Sequence, residues 1–303
     1  MNQTTDTLKD LLQPERLCAV VDIGANPIDG DPPYQTLLNL GLCQVTGFEP
    51  QPEALEQLNI SKSSLETYLP HCVGDGQSHT LHICAASGMS SLFKPDPRYL
   101  ALFNDFDLLG EVTSSIPVDT RRLDDINEIS ELDFLKIDIQ GGELAVFEAG
   151  RQKLRDAVFV QTEVSFMPLY ENQPMYWEID RELRAQGFVP HSFANLKHWP
   201  VTPYANPDNY RQGINQLLEA DAVYVKDFVD TDSLGNEQLK QMALIAHHCY
   251  GSHDLTTRCI SALSQRSAIE ATAVNQYRRD IFPNHTFFGD VDTSGLPFSL
   301  NLD

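Results

Sequence analysis

Short apolar runs alternate with amphipathic segments from residue 17 to about residue 226. The apolar runs predicted as strands are 17–23, 44–49, 67–73, 80–85, 134–139, 157–164, 188–193 and 221–225. The segments with helical spacing, predicted as helices, are 34–42, 53–59, 143–149 and 175–186. Strands that alternate with helices favour parallel pairing through right-handed crossovers. The pattern therefore predicts a three-layer α/β/α fold around a doubly wound sheet.

The pattern changes from about residue 231, where helical spacing runs through 239–250, 254–263 and 268–277 and the last twenty residues look extended. We predict a sheet domain over residues 1–228 and a helical extension with a tail over residues 229–303. This extension could cap the sheet edge or pair two subunits as a homo-oligomer.

The composition narrows the class of protein. With 303 residues and 42% hydrophobic residues, the chain can bury a full core. Its net charge of −22 repels phosphate backbones, so nucleic acid is a poor partner. We predict no signal peptide and no membrane span, because no apolar stretch approaches about 18 residues. Six cysteines without a C-x-x-C pair fit free thiols in a reducing compartment. We expect a cytoplasmic protein.

Candidate chemistry follows the first predicted strand, in the run from Asp22 to Asn26. In an open parallel sheet, ligands bind beyond the carboxyl ends of the strands. Gly24 lets the backbone pass close to a ligand, and the small Ala25 keeps the crevice open. Asp22 can reach a cationic or hydroxylated group. This turn predicts one wall of a ligand site.

Acids also follow the next strands. Glu49, with Pro50 after it, can accept both hydrogen bonds of a ribose diol. The alternative for Glu49 is an N-cap of the helix that follows. In the turn Gly74-Asp75-Gly76, Asp75 could meet an adenine amino group, but an Asp-Gly pair is equally typical of a hairpin turn.

A further strand end carries Lys136, Asp138 and Gln140, followed by Glu143, and the next strand carries Glu163. Lys136 inside an apolar strand needs a partner, and a nearby acid is the expected one. Asp138 could touch the cationic end of a cofactor or take a proton from a substrate hydroxyl. For Glu143 and Glu163 a structural polar network is an equally good interpretation.

Several of these blocks together resemble one family. The blocks are Val-Val-Asp-Ile-Gly-Ala-Asn at 20–26, Gly-Phe-Glu-Pro-Gln-Pro at 47–52, Ser-Ser-Leu at 90–92, Arg-Leu-Asp-Asp at 122–125, Leu-Lys-Ile-Asp-Ile-Gln-Gly-Gly-Glu at 135–143 and Gln-Thr-Glu-Val at 161–164. In this order they resemble the FkbM-type methyltransferases. The resemblance implies an S-adenosylmethionine-dependent O-methyltransferase with a seven-stranded Rossmann-like sheet. Similar proteins act on sugar hydroxyls of glycans and on polyketide-type natural products.

The resemblance also implies roles for individual residues. Asp22, Gly24 and Asn26 would line the methionine part of the cofactor, Glu49 would hold the ribose, Asp75 would lie near adenine, and Asp138 would face the methyl-transfer site. The predicted cofactor site is Asp22, Gly24, Ala25, Asn26, Glu49, Pro50, Gly74, Asp75, Asp138 and Gln140, with Asp138 also the catalytic residue. Residues 27–34 depart from the family pattern, and the helices after residue 230 lie outside the resemblance.

Two other motifs are interpreted as structural. Asp31-Pro32-Pro33-Tyr34 spells the tetrapeptide that grips a target nitrogen in amino-group methyltransferases. There it follows the fourth strand, whereas here it follows the first, so a proline-rich turn before a helix explains it better. Histidines and cysteines also gather near the C-terminus, at His247, His248, Cys249, His253 and Cys259. Their spacing matches no common zinc site, and we predict no metal.

Two rival functions and the choice of acceptor remain. A dinucleotide oxidoreductase would show G-x-G-x-x-G after the first strand, which is missing from this sequence. A non-catalytic scaffold would instead bind a partner through its acidic surface and helical extension.

We expect a small-molecule or glycan acceptor, bound by residues 86–116, predicted to be irregular and mobile, and by residues 194–215. The aromatic residues there could stack on a sugar ring or simply pack: Phe93, Tyr99, Phe103, Phe106, Trp199 and Tyr204.

Overall fold

The first half of the main sheet forms where the sequence predicts it. The computed structural model describes residues 7–26 and 30–281. Its first elements are α1 (Thr7–Leu12), β1 (Cys18–Ile23), α2 (Gln35–Asn39), β2 (Cys43–Phe48), α3 (Pro52–Ser61) and β3 (Glu66–Leu69). All six residues of β1 are buried, because helices cover the sheet on both faces. This burial is why β1 is a continuous apolar run rather than an alternating one.

A small second sheet follows. Its elements, with two short helices, are β4 (Cys72–Gly74), β5 (Ser78–Cys84), α4 (Pro97–Leu100), α5 (Phe106–Leu109) and β6 (Val112–Arg122). β6 lies in the middle, parallel to β4 and antiparallel to β5. The single strand predicted over 67–73 is wrong, because β3 and β4 belong to different sheets. The irregular segment predicted to residue 116 is wrong from Val112 onward. Most of β6 is exposed and carries Pro117, so no apolar pattern marked it.

The second half of the main sheet holds one reversal of direction. Its elements are β7 (Phe134–Ile137), α6 (Glu143–Ala149), α7 (Arg151–Leu154), β8 (Phe159–Ser165), α8 (Tyr176–Ala185), β9 (Phe188–His198) and β10 (Leu217–Lys226). The seven strands stand in the order β3-β2-β1-β7-β8-β10-β9, which confirms the predicted sheet. The predicted parallel pairing is confirmed between β3, β2, β1, β7 and β8, whereas β10 runs antiparallel to both of its neighbours. No helix bridges β9 and β10 in the described chain, and a parallel pair needs such a crossover.

The C-terminal helices form part of one layer. They are α9 (Asn236–Tyr250), α10 (His253–Gln265) and α11 (Ala273–Asp280), which confirms three helices there. Ile245 of α9 packs in the same buried cluster as Val20 of β1 and Phe134 of β7. Helices α6 and α8 cover the opposite face, so the three-layer prediction is confirmed. The predicted extended tail lies outside the described residues.

Three general features complete the fold. All six cysteines are free thiols. Across the described ranges, no helix has both the length and the apolar character needed to cross a membrane. Within the same ranges, no three His, Cys, Asp or Glu side chains are placed to hold a metal ion.

Candidate functional site

A cavity of about 720 Å³ opens at the carboxyl ends of β1, β2 and β7. The chain runs outward from β1 to β2 on one side and returns to β7 on the other, so this is the switch point of the sheet. The volume lies within the range of roughly 300–1,000 Å³ of small-molecule sites. The predicted site residues that line it are Asp22, Gly24, Ala25, Asn26, Glu49, Pro50, Asp138 and Gln140. The other two predicted residues, Gly74 and Asp75, do not line the cavity.

Asp22 is a buried carboxylate on this wall, with 2% of its surface exposed. Its Oδ2 accepts a hydrogen bond from the Tyr34 hydroxyl at 2.6 Å. The Lys136 ammonium lies 3.2 Å from Oδ1, so the predicted acid partner of Lys136 is confirmed. Oδ1 is buried, and this ammonium is its charged neighbour in the described part of the chain. Burial raises the pKa of Asp22, while Lys136 and Tyr34 hold it down.

Gly24 brings the ends of β1 and β7 together. Its backbone is left-handed, with φ of +78°, and a Cβ at this position would lie 2.0 Å from the carbonyl oxygen of Asp138. The Lys136 ammonium donates to the Gly24 carbonyl at 3.0 Å. Any side chain at position 24 would therefore push apart the two strand ends that carry Asp22 and Asp138.

Glu49 lies at the end of β2 and is 3% exposed. Its Oε1 accepts a hydrogen bond from the Gln51 backbone N–H at 2.7 Å. The N-cap of α3 is Gln51 itself, so the alternative of Glu49 as the helix cap is wrong. Burial raises the pKa of Glu49. The carboxylate thus lines the cavity while one oxygen holds the backbone just before α3.

Asp75 lies in the connection between β4 and β5. Its Oδ1 accepts from the Gln77 backbone N–H at 2.9 Å and contacts the His79 ring at 2.8 Å. β4 and β5 flank β6 and do not pair with each other, so this is not a hairpin turn. The adenine role of Asp75 stays a prediction. Gly74 packs against Thr120, whose side chain lies 2.9 Å from where a Cβ would stand.

Gln140 organises the polar end of the cavity. Its backbone is left-handed, with φ of 57°. Its Nε2 donates to Asp138 Oδ1 at 2.9 Å and to Glu163 Oε2 at 2.7 Å. Its Oε1 accepts from the Tyr170 hydroxyl at 3.1 Å, and its carbonyl accepts from the Ser91 hydroxyl at 2.6 Å. Every polar group of the side chain is engaged, so Asp138 is held in one orientation.

Sequence reasoning missed three charged residues that line this end of the cavity: Lys197, Glu219 and Asp221. The Lys197 ammonium donates to Glu163 Oε1 at 3.1 Å and lies 3.7 Å from Glu219 Oε2. Burial raises the pKa of Glu219 to about 7 and raises that of Glu163 well above its usual range. The sequence did carry a signal for the two acids. Glu219 and Asp221 stand two positions apart in the apolar strand β10, so their side chains share one face of the sheet. Burying two carboxylates on one face costs free energy, and such a pair therefore indicates a functional site.

Two of the predicted aromatic residues line the cavity. Phe106 and Trp199 line the cavity with ring centroids 4.7 Å apart. The indole N–H of Trp199 donates to the Asn104 carbonyl at 3.1 Å, which fixes the ring. Of the other predicted aromatic residues, Phe103 is buried and Tyr204 is 44% exposed. Phe106 and Trp199 therefore lie in the cavity wall, whereas Phe103 and Tyr204 do not line the cavity.

Two of the C-terminal histidines, His247 and His253, lie close together between helices. The His247 Nδ1 lies 3.1 Å from the His253 Nδ1 and 3.0 Å from the Tyr277 hydroxyl. The contact joins α9, α10 and α11. It is consistent with a polar link between packed helices.

Comparison with known proteins identifies the family. A model of the methyltransferase FkbM domain matches residues 22–190. No curated protein matches the chain.

Solved methyltransferase structures resemble it distantly. A precorrin-6y C5,15-methyltransferase from Geobacter metallireducens GS-15 shares 10% identity over 72% of this chain and 85% of its own, with a TM-score of 0.36. A magnesium protoporphyrin IX methyltransferase from Synechocystis PCC 6803, solved with bound SAM, shares 9% identity over 73% of this chain and 78% of its own, also with a TM-score of 0.36. The domain match spans more than half of the sequence, and the chain belongs to the FkbM methyltransferase family.

Proposed function

We propose that the protein transfers a methyl group from S-adenosylmethionine to a hydroxyl oxygen of a sugar, a glycan or glycolipid, or a natural product. One observation carries this proposal. A single cavity combines Asp22, which has a buried carboxylate oxygen without a hydrogen bond from the described residues, with Glu49 at the next strand end and Asp138 across the switch point. Such a cavity offers acceptors for an ammonium, a ribose diol and a hydroxyl proton in turn.

The charges of the cavity fit this cofactor. S-adenosylmethionine carries an ammonium and a sulfonium, and Asp22, Glu49 and Asp138 supply negative potential along one wall. The diphosphate of a dinucleotide would meet the same carboxylates and be repelled. The charge pattern therefore favours a methyltransferase over the rival oxidoreductase.

The residues of the chain divide the work of methyl transfer. When bound, S-adenosylmethionine supplies an electrophilic methyl group on a positively charged sulfur. Asp22 and Glu49 bind and orient the cofactor. Asp138 accepts the proton of the acceptor hydroxyl through Oδ2, because Gln140 already donates to Oδ1. Phe106 and Trp199, which line the cavity, exclude water from the acceptor.

The alternative of a non-catalytic scaffold predicts that Asp22 and Glu49 are dispensable. If the chain only binds a partner, Asp22→Ala and Glu49→Ala leave its biological activity intact. A homo-oligomer through α9 to α11 and a cytoplasmic location stay predictions.

Titration calorimetry with S-adenosylmethionine and S-adenosylhomocysteine tests the cofactor. We expect binding by the natural protein and much weaker binding by Asp22→Asn and Glu49→Gln, with exposed Glu56→Gln as the control for a lost carboxylate. If the natural protein binds neither compound, the proposed function is wrong.

Transfer itself is tested with methyl-labelled cofactor and panels of free sugars, glycans and cell extracts. The proposal expects label in an O-methyl ether, which resists mild alkali and is identified by mass spectrometry. Label found only as N-methyl or methyl ester would contradict hydroxyl chemistry.

A further inference from the structure

Tyr34 ends the segment that departs from the family pattern. It occupies the N-cap position of α2, and only 2% of its surface is exposed. Its ring packs in the apolar cluster beneath β1, while the residue also lines the cavity. The motif Asp31-Pro32-Pro33-Tyr34 thus delivers a phenol to the cavity wall from within the core.

The Tyr34 hydroxyl has one specific partner. It donates to Asp22 Oδ2 at 2.6 Å. Burial and the neighbouring carboxylate raise the pKa of Tyr34, so the hydroxyl keeps its proton and remains a donor. With Oδ2 occupied and Lys136 beside Oδ1, the carboxylate cannot rotate freely. Oδ1 is buried beside the Lys136 ammonium, so both oxygens of the carboxylate are fixed in place.

The charge on Asp22 depends on a few surrounding groups. Those that act on it electrostatically or by hydrogen bonding are Lys136 of β7, Asp138 directly after β7, Glu49 after β2, Tyr68 of β3 and Tyr34. Burial and the acids raise the pKa of Asp22, whereas Lys136 and Tyr34 lower it. Removal of the Tyr34 hydroxyl takes away one of the two groups that favour the ionised form. The carboxylate then takes up a proton at a higher pH.

We propose that Tyr34 is a positioning residue of the cofactor site, whose hydroxyl keeps Asp22 ionised and fixed in place where its negative charge attracts the ammonium of S-adenosylmethionine. This inference rests on the proposed function. It gives a role to Tyr34, the last residue of the segment that departs from the family pattern.

Calorimetry on Tyr34→Phe tests the proposal without an acceptor. The probes are S-adenosylhomocysteine, which carries the ammonium, and 5′-methylthioadenosine, which keeps the adenosine and lacks the amino-acid part. We expect about tenfold weaker binding of S-adenosylhomocysteine by the variant, as for a lost hydrogen bond to a charged group. Binding of 5′-methylthioadenosine should not change.

The pH profile separates positioning from mere packing. Ammonium binding needs ionised Asp22, so affinity is present above the pKa of Asp22 and is lost as the pH falls through it. In Tyr34→Phe this loss should begin at a higher pH than in the natural protein. In Asp22→Asn the further change Tyr34→Phe should have no effect on affinity, because the two residues act through one carboxylate.

Tyr224→Phe is the matched control. Tyr224 is buried, and its hydroxyl donates to Asp180 at 3.2 Å on the opposite face of the sheet. It should lower the melting temperature without altering either affinity. The inference is overturned if Tyr34→Phe binds S-adenosylhomocysteine like the natural protein, or if it loses affinity for both probes equally at every pH. Failure of the natural protein to bind any of these compounds would instead refute the proposed function.

Discussion

The hydroxyl of Tyr250, the last residue of α9, donates a hydrogen bond to Gln161 Oε1 of β8 at 2.9 Å. Gln161 lines the cavity, and the Tyr250 ring stacks on Phe159 with centroids 5.4 Å apart. The family match ends at residue 190. A residue sixty positions beyond it therefore orients a side chain in the cavity wall.

Tyr250→Phe should reduce the free energy of unfolding by about 1–3 kcal/mol, because a buried amide oxygen loses its donor. Tyr250→Ala should cost about 3–5 kcal/mol, because the ring contacts with Phe134 and Phe159 are lost as well. Urea unfolding followed by circular dichroism measures both values. Equal stability of Tyr250→Phe and the natural protein would mean that the hydrogen bond contributes nothing.

Lys136→Met should destabilise the fold by roughly 3 kcal/mol near neutral pH, because it leaves the buried Asp22 carboxylate without its cation. The loss should shrink as the pH falls and Asp22 takes up a proton. Combining it with Asp22→Asn should restore much of the stability, which urea unfolding of the single and double variants would measure. A double variant less stable than Lys136→Met would contradict an ion pair of this kind.

The buried carboxyl group of Glu143 should make the free energy of unfolding depend on pH. It is fully buried, accepts from the Ile139 N–H at 2.8 Å, and burial raises its pKa from 4.5 to about 7. The folded state holds a proton that the unfolded state releases near pH 4.5, so this stabilising contribution is complete below that pH. It is lost as the pH rises through about 7.

Glu143→Gln keeps the accepting oxygen and removes the titration. The variant should match the natural protein near pH 4.5 and exceed it by up to about 3 kcal/mol above pH 7. Melting temperatures across this pH range provide the measurement. Parallel profiles for the two proteins would show that Glu143 does not titrate in the range.

Asp138→Asn should lower the rate of methyl transfer by about a hundredfold or more, since an amide cannot accept the hydroxyl proton. Affinity for S-adenosylhomocysteine should change far less. The rate is measured with labelled cofactor on an acceptor found in the panel described above. A rate within a few fold of the natural protein would exclude Asp138 as the proton acceptor.

The sequence predicted the cavity floor well because its residues follow buried parallel strands. Asp22 is the last residue but one of β1, Glu49 and Asp138 come directly after β2 and β7, and parallel strands bring their carboxyl ends to one edge. The Lys136 prediction succeeded for a similar reason, since a cation in an apolar strand needs an acid and Asp22 stands beside it in register.

The residues that escaped prediction depend on distant pairing. Lys197 and Glu219 reach the cavity only because β10 reverses between β8 and β9, and no local pattern encodes that reversal. The Tyr34 motif was correctly interpreted as a turn before a helix, but its hydroxyl contact with Asp22 crosses the core. Tyr250 lies at the end of α9. The apolar spacing of this helix predicts that one face is buried, but it does not predict which part of the sheet that face covers.

The buried cluster that Ile245 shares with Val20 and Phe134 has a consequence for protein engineering. Residues 22–190 match the family, yet one side of β1 and β7 is sheltered by helices from beyond residue 235. A shortened protein ending near residue 228 would expose that apolar surface to water and should aggregate. The matched segment is therefore not a transplantable module, and chimeras with other family members should carry the C-terminal helices together with the sheet.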